Sequence, residues 1–437
     1  MQSMLQFRWG ALLTFLTAFA ACTNNDIDPS LGSGGTPSKG SADFTRYVAV
    51  GNSLTAGYAD GGVYRESQLN SYPNILAGQF KTVGGGDFIQ PLFTEAQANG
   101  SGYIRLRKLP ASATSLPTFD TTKTQLAVRG LTSNGTPLYT LFTDANQNLG
   151  VPAIKVADIR TAGYGSSMGN PYFERLVTNK AATYLQYVSS NLNGATFFSC
   201  WLGNNDALLY AVSGGMGAEN TSNGLTSTAL FTTNFTAAMD TLTKGSRKGV
   251  VVSIPNIVQA PYFTTVTAQV NALVASQGRT GLAIQTKNGV RLSTAGDYFL
   301  LSVAPFFNTF LAQGVGLSAA NPVPDRFVLD ASEVQTLNTR IGEFNAIMKS
   351  QADAKGAAFV DINSIFQQIT QSGGYVQNGI TYTAAYIQGG AFSLDGIHLT
   401  PAGYALIANE IIKGINSKYS STVPQVNPAN YRRVLLQ

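Results

Sequence analysis

Four short apolar runs set the frame of this chain: YVAV at 47–50, ATFFSCWL at 195–202, GVVVSI at 249–254 and AAFVDI at 357–362. Each is bounded by turn residues, and none alternates polar with apolar. Strands read this way when both faces of their sheet are covered. Segments of helical character stand before three of them: PYFERLVTNKAATYLQYVSSNL, NFTAAMDTLTKG and ASEVQTLNTRIGEFNAIMKSQADAKG, the last ending in Gly356 as a C-terminal cap. The stretch from LYTLF to NLG, which ends at Gly150, is a fifth and weaker strand. This alternation predicts a layered α/β protein with a mostly parallel sheet.

Two stretches break the alternation. Residues 58–146 and 259–330 are rich in Gly, Thr, Ser, Asn and aromatics and hold no sustained period, so they read as insertions at the loop ends of the sheet. Their aromatics, among them Tyr72, Phe93, Tyr103 and Phe142, can stack on a sugar ring or an acyl chain, or can form small satellite cores.

The N-terminus reads as a targeting segment. In MQSMLQFRWGALLTFLTAFAAC a single early cation, Arg8, precedes an apolar run too short to span a bilayer, with small residues before Cys22. FAAC resembles a bacterial lipobox, which makes residues 1–21 a signal peptide and Cys22 a lipidated N-terminus; an ordinary cleaved leader is the alternative. Residues 22–43 have the Gly/Ser/Pro content of a flexible tether, residues 44–420 form the folded domain, and residues 421–437 are left as a C-terminal tail. The expected location is export, with a lipid anchor at the outer membrane or cell surface. The alternative is a periplasmic or secreted protein.

Composition excludes some functions. The net charge of +5 is spread without any Lys/Arg run, so nucleic acid is not an expected partner. With one histidine and two cysteines, of which Cys22 is assigned to lipid, the usual zinc ligand sets cannot be assembled. No metal or organic cofactor is expected. Cys200, inside an apolar run, reads as an inert core residue.

The one histidine, His398, lies in SLDGIHLTPAGYALIANEII. Thr400 can cap the following helix, Pro401 suits its first turn, and Tyr404, Ile407, Ala408, Ile411 and Ile415 form its apolar stripe. His398 therefore stands in a loop just ahead of a helix, where a neutral imidazole can act as a base. Asp395, three residues earlier, can accept from one ring nitrogen and select the tautomer. Ser53 follows the first buried strand directly in YVAVGNSLTAGY, at the end of a strand where open α/β sheets bind ligands. WLGNNDALL ends the next strand, and an Asn amide there is a suitable donor to a developing oxyanion.

GNSLTAG, NLGVP, GNND and DGIHLTPAGY, in this order, resemble the four signature blocks of the GDSL esterases and lipases, also called SGNH hydrolases. The resemblance spans 44–57, about 147–258 and about 331–416, and leaves the two insertions uncovered. It implies a three-layer α/β/α, flavodoxin-like fold and a serine hydrolase cleaving carboxylic esters. It further implies Ser53 as nucleophile and backbone oxyanion donor, Gly150 as a second backbone donor and Asn205 as the side-chain donor. His398 would be the general base and Asp395 its orienting acid. The partner is then a small or polymeric ester. The first block departs from the family pattern: Asn52 stands where Asp is usual. The rival reading is a catalytically inactive ester- or glycan-binding surface lipoprotein.

Overall fold

The computed structural model describes residues 36–109 and 117–434. The apolar runs become strands β1 (Tyr47–Gly51), β2 (Asn148–Gly150), β3 (Phe197–Trp201), β4 (Lys248–Val252) and β5 (Ala358–Val360). They form one five-stranded sheet in the order β2-β1-β3-β4-β5, and every pairing in it is parallel. This is the flavodoxin-like order, in which the chain reverses direction across the sheet between β1 and β3. Val48 lies opposite Phe198, and Ala49 lies between Asn148 and Ser199. The weak fifth strand is thus the short edge strand β2; its core-facing Leu149 is buried, but only three residues pair.

Helices cover both faces. They are α1 (Ser53–Ala56), α2 (Tyr72–Lys81), α3 (Tyr184–Asn191), α4 (Asn205–Val212), α5 (Thr228–Leu242), α6 (Pro261–Ser276), α7 (Ala331–Ala354), α8 (Asn363–Thr370) and α9 (Pro401–Tyr419). On one face Phe80 of α2 and Tyr419 of α9 meet Phe197 and Phe44, with ring centroids 4.1 Å apart for Phe44–Phe80 and 5.7 Å for Phe197–Tyr419. Elsewhere in the core Phe231 of α5 stacks on Phe344 of α7 at 4.0 Å. Such rings dominate core energetics, and truncating Phe197 to Ala would cost about 3–5 kcal/mol. The segment 171–192 is not one helix. Thr183 caps α3 in a reciprocal box with Gln186, and this restarts the helix after a loop.

The region 58–146 is not wholly an insertion. Helix α2 lies within it, and Tyr72, Ile75, Leu76 and Phe80 enter the main core. Pro73 and Gly78 dilute its period, so the helix leaves little periodic signal in the sequence. Tyr103 joins Ala59 and Tyr64 in a satellite cluster, and Phe93 joins Val63, Ala127 and Tyr139 in another. The region 259–330 carries α6 and a hairpin of Ala283–Thr286 with Gly289–Leu292, and its Val266, Val270, Ile284 and Phe299 share a core separate from the main one. Helix α6 is rich in Thr and Val, whose helix propensity is low, so packing and not local preference makes it helical.

The domain also extends past both assigned ends. Ser41 N–H donates to Tyr419 O at 2.9 Å, Thr422 N–H donates to Ser38 O at 2.8 Å, and Ala42 is buried. Residues 421–434 form a strap over α9, where Asn409 bonds the backbone of Val426 in both directions and Val423 and Val426 are buried. That strap explains why α9 is buried nearly all round, beyond its expected stripe. The leader and Cys22 lie outside the described residues. Cys200 is buried in the sheet, and burial pushes its thiol up to about 12, as suits a core residue.

Candidate active site

The carboxyl ends of β1 and β3 deliver the two central groups. After Gly51, Asn52 caps the short helix α1: its Oδ1 accepts from Leu54 N–H at 3.0 Å. Ser53 is the first residue of that helix, so its own N–H has no intrahelical acceptor. Its Oγ lies 2.8 Å from Nε2 of His398, and Nδ1 of His398 lies 3.0 Å from Oδ2 of Asp395. Ser53 and His398 are 345 residues apart in the chain. Their meeting depends on α9 packing on α2 and on the strands β4 and β5, with Thr400 capping α9 through Gly403 N–H at 3.0 Å.

Asp395 is held from several sides. Its Oδ1 accepts from the N–H groups of Ile397 and His398, both at 2.8 Å, and its Oδ2 accepts from Gly61 N–H at 3.1 Å. Burial pushes its carboxyl up. The neighbouring His398 charge and the hydrogen bonds from His398 and Ile397 outweigh burial and bring it down to about 2. The carboxylate is thus ionised across the working range and keeps a proton on Nδ1, leaving Nε2 free to accept from Ser53. The ring of Tyr58 lies against that of His398, 4.4 Å between centroids.

Ser53, His398, Asn204 and Asn205 line one cleft that is open to solvent. Asn205 opens α4, and its Nδ2 donates to Ile154 O at 2.9 Å; its second amide hydrogen has no acceptor among the described residues. Asp206 beside it accepts from Val156 N–H, Ala157 N–H and Thr226 Oγ–H, which ties the loop after β2 to α4. Asn204 also lines the cleft, but its Oδ1 is engaged, accepting from Asn52 Nδ2.

Gly150 is not brought into this cleft. Its N–H donates to Asn148 Oδ1 at 3.1 Å, and it lines a neighbouring pocket with Pro152 and Tyr172. The absence of a side chain has another cause: a Cβ at Gly150 would lie 2.4 Å from Ala56 N, so β2 can approach α1 only with glycine there. Further along the same loop, Ala153 holds a left-handed φ of 65°, and its N–H makes no hydrogen bond among the described residues. The next residue, Ile154, is the one bound by Asn205. A left-handed Ala is uncommon, but no local sequence signal marks it.

Other residues beside His398 and Asp395 carry weaker sequence signals. Gly61 and Tyr58 come from the first insertion. The Asp60-Gly61 pair is a turn dipeptide, and that signal was available. Among the described residues no three His, Cys, Asp or Glu side chains are grouped to hold a metal ion.

Residues 47–411 match the GDSL-like lipase/acylhydrolase family, which is most of the chain. The chain belongs to that family. It is a GDSL-type serine esterase or lipase, and its parallel sheet with helices on both sides is the fold expected of one. No curated protein sequence matches it significantly. Among solved structures it resembles an extracellular lipase from Streptomyces rimosus, with 13% identity over 86% of this chain and 100% of that one, at a TM-score of 0.30. It also resembles a mutant of an acetyl-xylooligosaccharide esterase from Geobacillus stearmophilus, with 9% identity over 64% of this chain and 73% of that one, at a TM-score of 0.28.

Proposed function

We propose that this esterase works through an acyl-enzyme, with Ser53 as nucleophile, His398 as proton carrier and Asp395 as the orienting carboxylate. The observation that carries the reading is the unbroken relay from Ser53 Oγ through His398 to Asp395, with contacts of 2.8 and 3.0 Å. Ser53 Oγ attacks the ester carbonyl as its proton passes to Nε2. The tetrahedral intermediate collapses, the bond to the alcohol oxygen breaks, and Nε2 returns that proton to the departing alcohol. Water then gives its proton to Nε2 and attacks the acyl-enzyme; collapse frees the acid and Nε2 reprotonates Ser53. The oxyanion takes donors from Ser53 N–H and the Asn205 amide. The Gly150 N–H, which the resemblance implies as a third donor, is already engaged by Asn148.

The cleft favours an acyl chain over an acetyl group. Leu54, Leu208, Ile257, Phe366, Phe392 and Ile397 line it, interrupted by Asn256. Each buried methylene is worth about 0.8 kcal/mol, roughly fourfold in affinity. The test is a series of p-nitrophenyl esters from acetate to octanoate, with Ser53→Ala as control. We expect kcat/KM to rise at least about tenfold from acetate to butyrate. Ser53→Ala should reduce kcat by about 10⁴-fold. A flat or falling series would return short acyl groups, such as acetylated carbohydrate, to first place. Turnover surviving in Ser53→Ala would end the mechanism. We also propose that the protein is exported and anchored by lipid at Cys22, a reading supported by the FAAC sequence.

A further inference from the structure

The groups that pair His398 with Asp395 are themselves gripped by two distant parts of the chain. Asp60 and Gly61 form a two-residue turn, with Ala59 and Gly62 exchanging backbone hydrogen bonds at 2.9 Å. Both turn residues have positive φ, 53° and 84°, as a type I′ turn requires. Gly61 N–H reaches the same Asp395 oxygen that faces His398 Nδ1. Asp60 is buried and bridges to the loop carrying Asp395. Its N–H donates to Ser393 Oγ at 2.9 Å, and its Oδ1 accepts from Leu394 N–H at 3.0 Å. Its Oδ2 accepts from Tyr64 Oη–H at 2.6 Å.

The far end of the chain closes the grip. Arg432 donates to Tyr64 Oη at 2.9 Å and to Glu66 at 2.8 and 3.2 Å, and its Nη2 lies 3.6 Å from Asp60 Oδ2. Its carbonyl accepts from Ala402 N–H at 3.0 Å, in the first turn of the helix that follows His398. A buried carboxylate that accepts from Leu394 N–H on the acid loop side and meets an Arg–Tyr pair on the other, while its own backbone N–H is held by Ser393 Oγ, has one low-energy position. That position decides where Gly61 N–H points.

We propose that Asp60 is a positioning residue for the acid–base pair, locked by Tyr64 and by Arg432 from the C-terminal strap. It acts by holding Gly61 N–H and the Ser393–Asp395 loop in register, so that Asp395 presents one oxygen to His398. This rests on the roles assigned to Asp395 and His398, and its test therefore includes a measurement that does not depend on turnover.

With a single histidine, the imidazole ¹⁵N and Nδ1–H resonances of the untagged full chain report one residue. The variants are Asp60→Asn, which cannot accept from Tyr64 with the amide nitrogen, and the milder Tyr64→Phe and Arg432→Gln. We expect kcat on a p-nitrophenyl ester to fall between about ten- and a hundredfold in Asp60→Asn with KM within about twofold, because small misplacements of catalytic groups are costly. We expect smaller falls in the other two. In each, the Nδ1–H resonance should broaden or shift toward a tautomer mixture in step with the loss of kcat. If Asp60→Asn does not fold, the two milder variants carry the test. Unchanged kcat in the folded variants, or a fall in kcat with an unaltered imidazole spectrum, overturns the proposal. A wild-type spectrum showing the Nδ1–H bond, with no ester turnover at all, would instead count against the hydrolase reading.

Discussion

Asn52 Nδ2 donates to Asn204 Oδ1 at 2.9 Å, which ties the residue before Ser53 to the residue before Asn205. The same Asn52 caps α1 through its oxygen. Asn at this position, where the family usually has Asp, therefore makes a bond that Asp makes only if the Asn204 amide turns over and donates. Turning an amide is cheap. We expect Asn52→Asp to keep kcat within a few-fold of wild type. Asn52→Ala should lose the cap and orphan Asn204, costing about 1–2 kcal/mol in urea unfolding. A large loss of kcat in Asn52→Asp would mean that the amide donor itself is needed.

Asn204 and Asn205 are adjacent but do different things. Asn205→Ala should lower kcat by about 10²- to 10³-fold with little change in KM, the signature of a donor used in the transition state. Asn204→Ala should act mainly on stability, through the unpaired Asn52 amide. Steady-state kinetics on both, beside their unfolding curves, distinguishes the two; the reverse ranking would move the donor to Asn204.

Acid should weaken the fold through Asp395. Its folded carboxyl is lowered from 3.8 to about 2, so the unfolded chain takes up its proton first as pH falls. The stability this carboxylate contributes is present above the unfolded value and is lost as pH drops from about 4 toward 2, at most about 2 kcal/mol. Asp395→Asn cannot show that term. The stability gap between wild type and variant, measured by denaturant unfolding, should narrow over that window. A gap independent of pH would remove the ionised pair.

The strap is part of the fold. A chain ending at residue 420 loses the Asn409–Val426 bonds and uncovers α9. Burying Val423 and Val426 alone is worth about 3–6 kcal/mol. The truncated protein should be insoluble or melt well below wild type, read by circular dichroism. Unchanged melting would make 421–434 a loose appendage.

Anchoring is tested apart from catalysis. Full-length protein should enter the detergent phase on phase separation, and Cys22→Ala should not. Equal partitioning of both into water would favour an ordinary cleaved leader.

Much of this protein is local, and what is local was legible. Buried parallel strands are continuous apolar runs because both faces are covered, so β1, β3, β4 and β5 could be read within a few residues. Thr400 and Pro401 announce the start of α9 because capping is settled within one turn. Ser53, Asn205, Asp395 and His398 sit in short blocks whose residue types suit acyl chemistry. Other features depend on partners far away in the chain. Helix α2 and helix α6 exist because a core accepts their faces, not because their residues favour helix. Gly150 reads as a donor from its motif, but only the packing of β2 on α1 shows its N–H already taken and its missing side chain required. Ala153 in a left-handed conformation, Gly61 on Asp395 and Arg432 on Tyr64 leave no periodic trace, since a single contact across hundreds of residues imposes no pattern on its neighbours. The types of group available for chemistry are thus written in the sequence. Which N–H points at which oxygen is decided by tertiary packing, because hydrogen-bond geometry is set by the position of the whole chain to within an ångström.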